Sequence, residues 1–255
     1  MRDNSALVGL ALGFTAISLG GCGIGDKTGP KVEQIFNRLA IQDYGFASSY
    51  YRMHEAELLS EDAAPAWRRG LEHEDPTVRQ WTVDALSRIG ISSDVGCIEA
   101  ALDDRFRKVR DAAAEGLIRT DPKRAQTAFM ARLDGTDPVR VSGAAQGLGA
   151  LGSAESVAPI LGRLADLRLP SGARTVLVQV LGTIGSVEAA EPLAMLALDS
   201  ETDAKLRQQA AESLVALDLD AVSGWLQRVL ESSDDEYVQG VIEGALEVGK
   251  VRIRR

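Results

Sequence analysis

Aromatic side chains are scarce in this chain, at 5% of 255 residues, and so are cysteine and histidine, with two of each. The aromatic shortage, beside abundant Ala, Leu and Gly, argues against a β-sandwich, which draws on Val, Ile, Tyr and Thr, and favours closely packed helices. A basic surface is also lacking. Net charge is −9, and loss of residues 1–21 would remove one Arg and one Asp and leave it there. Nucleic-acid binding through the phosphate backbone needs the opposite sign or a dense basic stripe. The tail Lys250, Arg252, Arg254, Arg255 is too short for that and reads as a solvated end. No membrane-spanning stretch is evident either: the apolar run of residues 6–19 is fourteen residues, against about 20 for a helix crossing a bilayer. Apolar residues at 45% and charged ones at 25% still describe a folded chain.

What the chain has in quantity is repetition. Leu86, Leu117, Leu148, Leu181, Leu214 and Leu246 are spaced 31, 31, 33, 33 and 32 residues apart. Trp67, Ile98, Phe129, Ile160, Leu193 and Leu226 form a second ladder, and Leu71, Leu102, Leu133, Leu164, Ala197 and Leu230 a third. The second and third ladders lengthen together, around Leu169-Pro170-Ser171-Gly172, as one repeating unit requires. Each period predicts two helices. The first starts at turns such as Asp75-Pro76 or Asp137-Pro138, where Asp caps free N–H groups and Pro fits the first helical position. It stops at Ile89-Gly90, Leu151-Gly152 or Ile184-Gly185. The second carries its core pair at i and i+4, as in Ile160 and Leu164. Neither stripe can be buried alone, so stacked neighbours make the core.

Segments such as Asp75-Pro76-Thr77-Val78-Arg79 and Ser186-Val187-Glu188-Ala189-Ala190-Glu191-Pro192-Leu193 resemble HEAT-like repeats of the phycobilisome-lyase type over about residues 60–249. The resemblance implies an all-α, right-handed α-α superhelix of about six helix pairs, with the second helix of each pair on the concave side. Bilin chemistry does not follow, since one fold hosts many functions. Residues 31–59 fall off the ladders, with Glu55 where a leucine would stand. They are expected to form one or two capping helices that turn Ile35, Phe36, Leu39, Phe46, Tyr50, Tyr51 and Leu58 toward the first repeat.

The N-terminus reads as an address. The fourteen-residue run suits a signal-peptide core, and it ends in Leu19-Gly20-Gly21-Cys22, which resembles the lipobox of bacterial lipoproteins. That resemblance implies a signal peptide over 1–21, cleavage before Cys22, a lipid on its thiol and a linker over 22–30. It places the protein in the bacterial envelope, facing the periplasm. Gly23, standing where Asp would retain a lipoprotein in the inner membrane of enteric bacteria, points to the outer one. Cys97 then stands alone and reads as a small core residue.

Three motifs invite chemistry. Arg79, Arg110, Arg174 and Arg207, each seven residues before a ladder leucine, could line up to bind anions, but read better as internal braces paired with Asp75 or Asp203. Gly147-Leu148-Gly149-Ala150-Leu151-Gly152 spells a dinucleotide fingerprint, yet it ends a helix instead of opening one after a strand. His54-Glu55 and His73-Glu74 echo the His-Glu pairs of HEAT-like hydroxylases, but are two, not four, and off register. No cofactor, metal site or catalytic set is expected.

The expected function is therefore a membrane-tethered protein-interaction scaffold. An enzyme, or a ligand or metal carrier, using the acidic region around His54 and His73, and an accessory subunit of an envelope assembly, are the alternatives. Beside the second ladder the helices are charged toward the ends of the array but read Met130, Ala131, Leu161, Gly162, Ala165, Ala194, Met195 and Leu198 in the middle. With Asp134 the one charge among them, either these form a mostly uncharged patch for an apolar peptide or helix, or they pack between neighbouring helices.

Overall fold

The computed structural model describes residues 28–253, so residues 1–27, including the signal-like run and Cys22, lie outside it. Among the described residues there are α-helices and short 3₁₀ turns, and no strand. The expected all-α helical-repeat fold is what the chain adopts.

The first helices of the units are α5 (Pro76–Ile89), α7 (Arg107–Thr120), α9 (Pro138–Leu151), α11 (Ser171–Ile184), α13 (Ala204–Val215) and α15 (Glu236–Ile253). The second helices are α4 (Ala64–Arg68, extended by the 3₁₀ turn Arg69–Glu72), α6 (Val95–Ala100), α8 (Pro122–Leu133), α10 (Val157–Leu164), α12 (Ala190–Leu198) and α14 (Leu219–Ser232). The second ladder is buried from end to end, each member 0–1% exposed. The first is fully buried from Leu86 to Leu214, and only Leu246 is half-buried. In the third, Leu71 and Leu230 are half-buried.

Capping follows the sequence closely. Asp75 accepts from the N–H of Thr77 at 2.6 Å, Asp137 from that of Val139 at 2.9 Å, and Asp203 from that of Lys205 at 2.8 Å. Gly90, Gly152 and Gly185 close their helices at φ +77°, +63° and +74°, a conformation a side chain strains.

Three helices, not one or two, precede the array: α1 (Gly29–Ala40), α2 (Tyr44–Met53) and α3 (Glu55–Leu58). Helix α1 begins inside the segment read as linker, because Pro30 occupies its first turn. Ile35, Phe36, Leu39, Tyr51 and Leu58 are buried as expected, whereas Phe46 and Tyr50 are half-buried. Glu55 is off the ladder for a reason: its carboxylate pairs with Arg88 of α5. Cys97, read as core, is half-buried.

Successive first helices approach closest where the residue after one ladder leucine meets the residue before the next. An added methyl at Gly116 would lie 2.8 Å from Ser87, at Gly149 3.0 Å from Val180, and at Gly182 2.9 Å from Ser213. Small residues thus let the backbones come together. In α7 the corresponding position is Ile118, and the atoms nearest Gly147 are those of the Phe129 ring of α8. Helices α7 and α9 accordingly meet over a shorter length than α5 and α7, or α9 and α11.

Candidate functional site

The period lengthens in the loop between α10 and α11. Asp166 anchors that loop by accepting from the backbone and guanidinium of Arg168 and from Arg163 at 2.5 Å. These contacts, Arg168 first, hold its carboxyl well below the usual range. Leu169 is driven inward at 5% exposure while Leu167 is left outside.

Beside the loop, short helices α10 and α12 leave a groove of about 550 Å³. Its walls are Leu161, Leu164 and Ala165 from one side and Pro192, Met195 and Leu196 from the other; Glu191, Asp199 and Arg174 sit at the rim. Arg174 donates to the carbonyl of Leu164 at 3.3 Å. Asp199 takes a hydrogen bond from the Thr202 hydroxyl at 2.6 Å and one from the Glu201 N–H, and these hold its carboxyl below the ordinary range. Met195 is 64% exposed.

Of the eight residues the sequence suggested, the structure gathers three, Leu161, Ala165 and Met195, around this groove. Ala131 and Gly162 are exposed elsewhere on their helices, and Met130 and Leu198 are half-buried against the core. Ala194 is a correction: at 1% exposure it belongs to the core, because on α12 the residue after Leu193 faces inward too. A helix clamped on two sides has a wider buried arc than one stripe.

The arginine register needs correcting as well. Arg79 pairs not with Asp75, which is busy capping α5, but with Asp104 one unit ahead, at 2.7 and 3.1 Å. It also donates to the carbonyls of His73 and Glu74. Arg207 repeats the scheme with Asp235 at 3.3 Å and the carbonyl of Thr202 at 2.6 Å. Burial opposes the charge on Asp104, yet the Arg79 guanidinium and the Phe106 N–H keep its carboxyl below the ordinary range. Among the described residues Arg110 and Arg174 reach only backbone carbonyls.

The glycine fingerprint is accounted for by packing: Gly147 admits the Phe129 ring, Gly149 admits Val180, and Gly152 ends α9. The histidines are separately engaged. His73 accepts from the Asp75 N–H at 3.0 Å through Nδ1, and His54 packs on the Tyr50 ring at 4.5 Å. Among the described residues no three His, Cys, Asp or Glu side chains are grouped to hold a metal ion, and no helix is long and apolar enough to cross a membrane.

Sequence reasoning missed a second depression, a cleft of about 300 Å³ between α7 and α9 lined by Arg107, Arg110, Arg132 and Arg140 over an apolar floor. The signal was present in Ile118, a large residue at a position that Ser87, Gly149 and Gly182 hold on α5, α9 and α11, although Val215 stands there on α13.

No protein-family model matches the chain, and no curated protein matches it in sequence. Solved structures match at low similarity. One is an engineered protein, 21% identical, covering 85% of this chain and 67% of its own, with a TM-score of 0.43. Another is the complex of CpcE and CpcF of phycocyanin lyase from Nostoc sp. PCC7120, 16% identical, covering 93% and 99%, with a TM-score of 0.41.

Proposed function

We propose that the protein is a lipid-anchored scaffold of the bacterial envelope that holds an apolar segment of another protein in the groove between α10 and α12. The observation that carries this reading is the groove itself: an apolar channel with exposed Met195 on one wall and Leu161 and Ala165 on the other. Methionine adapts its shape to varied apolar partners, and an apolar groove with charges only at its rim suits an amphipathic helix or extended segment. Two acids against one arginine at the rim favour a segment with a basic flank.

Leu161 is half-buried, so its replacement by Asp confounds binding with folding. Met195→Asp and Ala165→Asp are the cleaner variants. Both should keep the wild-type melting temperature and lose the protein that co-purifies with the wild type from detergent-solubilised membranes. Retention of that protein by both variants would overturn the groove as the site.

The tether rests on the lipobox resemblance around Cys22. Cys22→Ser removes the thiol that accepts the lipid, so metabolic labelling with a radioactive fatty acid should fall to background. Undiminished labelling of the variant would remove Cys22 as the anchor.

A further inference from the structure

We infer that the cleft between α7 and α9 is a binding site for a carboxylate carried on an apolar body, a chemistry shared by the C-terminal residue of a protein and by a fatty acid. Its volume, about 300 Å³, admits one side chain with its carboxylate and little more. The floor is apolar, built from Phe129, Leu102, Ala144 and Ala173. A bare phosphate or sulfate would leave that floor wet, whereas an aliphatic or aromatic body covers it.

The rim is cationic in a chain of net charge −9. Four arginines line the cleft against one acid, Asp111. Arg132 and Arg140 share Asp103 at 2.6 and 2.9 Å, and Arg107 meets Asp111 at 3.4 Å. Arg110 differs. At its register Arg79 and Arg207 hold the carboxylates of Asp104 and Asp235, but Arg110 donates only one terminal nitrogen, to the carbonyls of Asp104 and Arg105. Among the described residues no carboxylate lies within ion-pair reach of it. A guanidinium has five donors in a planar fork, so Arg110 keeps an unused edge at the rim of an apolar hole. Carboxylates match that fork bidentately.

The cleft is open because its walls are small. Ser142, Gly143 and Ala114 leave room, and a methyl added at Gly143 would meet nothing within 4 Å. That supplies a plug. Gly143→Leu improves helix propensity while filling the space.

The test is calorimetric titration of the detergent-solubilised full chain with three probes: N-acetyl-Ala-Ala-Leu-Phe with a free C-terminus, its C-terminal amide, and octanoate. At least one free carboxylate should bind saturably, and the amide at least about tenfold more weakly than the acid, the weight of a charge-assisted hydrogen bond. Tighter binding of the peptide assigns the site to protein C-termini, tighter binding of octanoate to acyl chains. Arg110→Gln should weaken the free acid by a similar factor, and Gly143→Leu should abolish binding with an unchanged or raised melting temperature. Met195→Asp should bind as wild type, which separates this site from the α10–α12 groove. The inference is wrong if neither carboxylate binds, if the peptide binds and its acid and amide do so alike, or if Gly143→Leu binds normally.

Discussion

Replacing Trp67 with alanine is expected to cost about 3–5 kcal/mol of folding stability, the range for emptying a large buried aromatic site. Trp67 is fully buried where the cap meets the array. Its ring stands edge-on to Phe36 at 5.5 Å and to Tyr51 at 6.4 Å, so the void would open between α1, α2 and α4 at once. Its Nε1–H also donates to the carbonyl of Leu58 at 2.7 Å, and that acceptor would be stranded in the core. Denaturant unfolding measures the loss directly. A change below about 1 kcal/mol would mean that the cap does not fold as one unit with the first repeat. Trp67→Phe should recover part of the loss by refilling volume, but not the hydrogen bond.

Arg79→Ala should cost about 3 kcal/mol, because removing one member of a buried pair leaves the other charge without compensation. Arg79 is 8% exposed, and it ties the loop before α5 to the loop before α7. The double variant Arg79→Met with Asp104→Leu should be less damaging than Arg79→Ala, since both charges leave together. The pH dependence is a second readout. The Asp104 carboxyl is depressed, so the pair contributes fully above the ordinary aspartate value of about 3.9 and loses its contribution as pH falls through the lowered value. Wild-type stability should therefore fall more steeply below about pH 4 than that of Arg79→Ala. Parallel acid limbs would dismiss the brace.

How much of this could be read beforehand depends on what each residue answers to. The ladders answer to burial in a stack that repeats itself, so Leu148 or Ile160 could be placed from spacing alone. Caps such as Asp75 and stops such as Gly185 answer to the local backbone and were equally plain. Arg79 answers to a residue 25 positions away, and the choice between Asp75 and Asp104 turns on which carboxylate is already occupied by backbone N–H groups. Ala194 was misplaced because helix α12 is clamped by neighbours on both flanks, and its period alone does not say how wide the buried arc is. The cleft was missed because it is an absence, a place where Gly143 and Ala114 fail to meet.

That absence also sets how the array holds together along its length. In a linear stack each unit senses only its neighbours, so cooperativity is relayed interface by interface. Between α7 and α9 the direct relay is thin, and the signal must detour through α8, whose Phe129 ring is seated on Gly147. Helix α8 is thus a splice joining two cooperative blocks, and whatever stiffens or loosens its seat decides whether the chain melts as one body or as two.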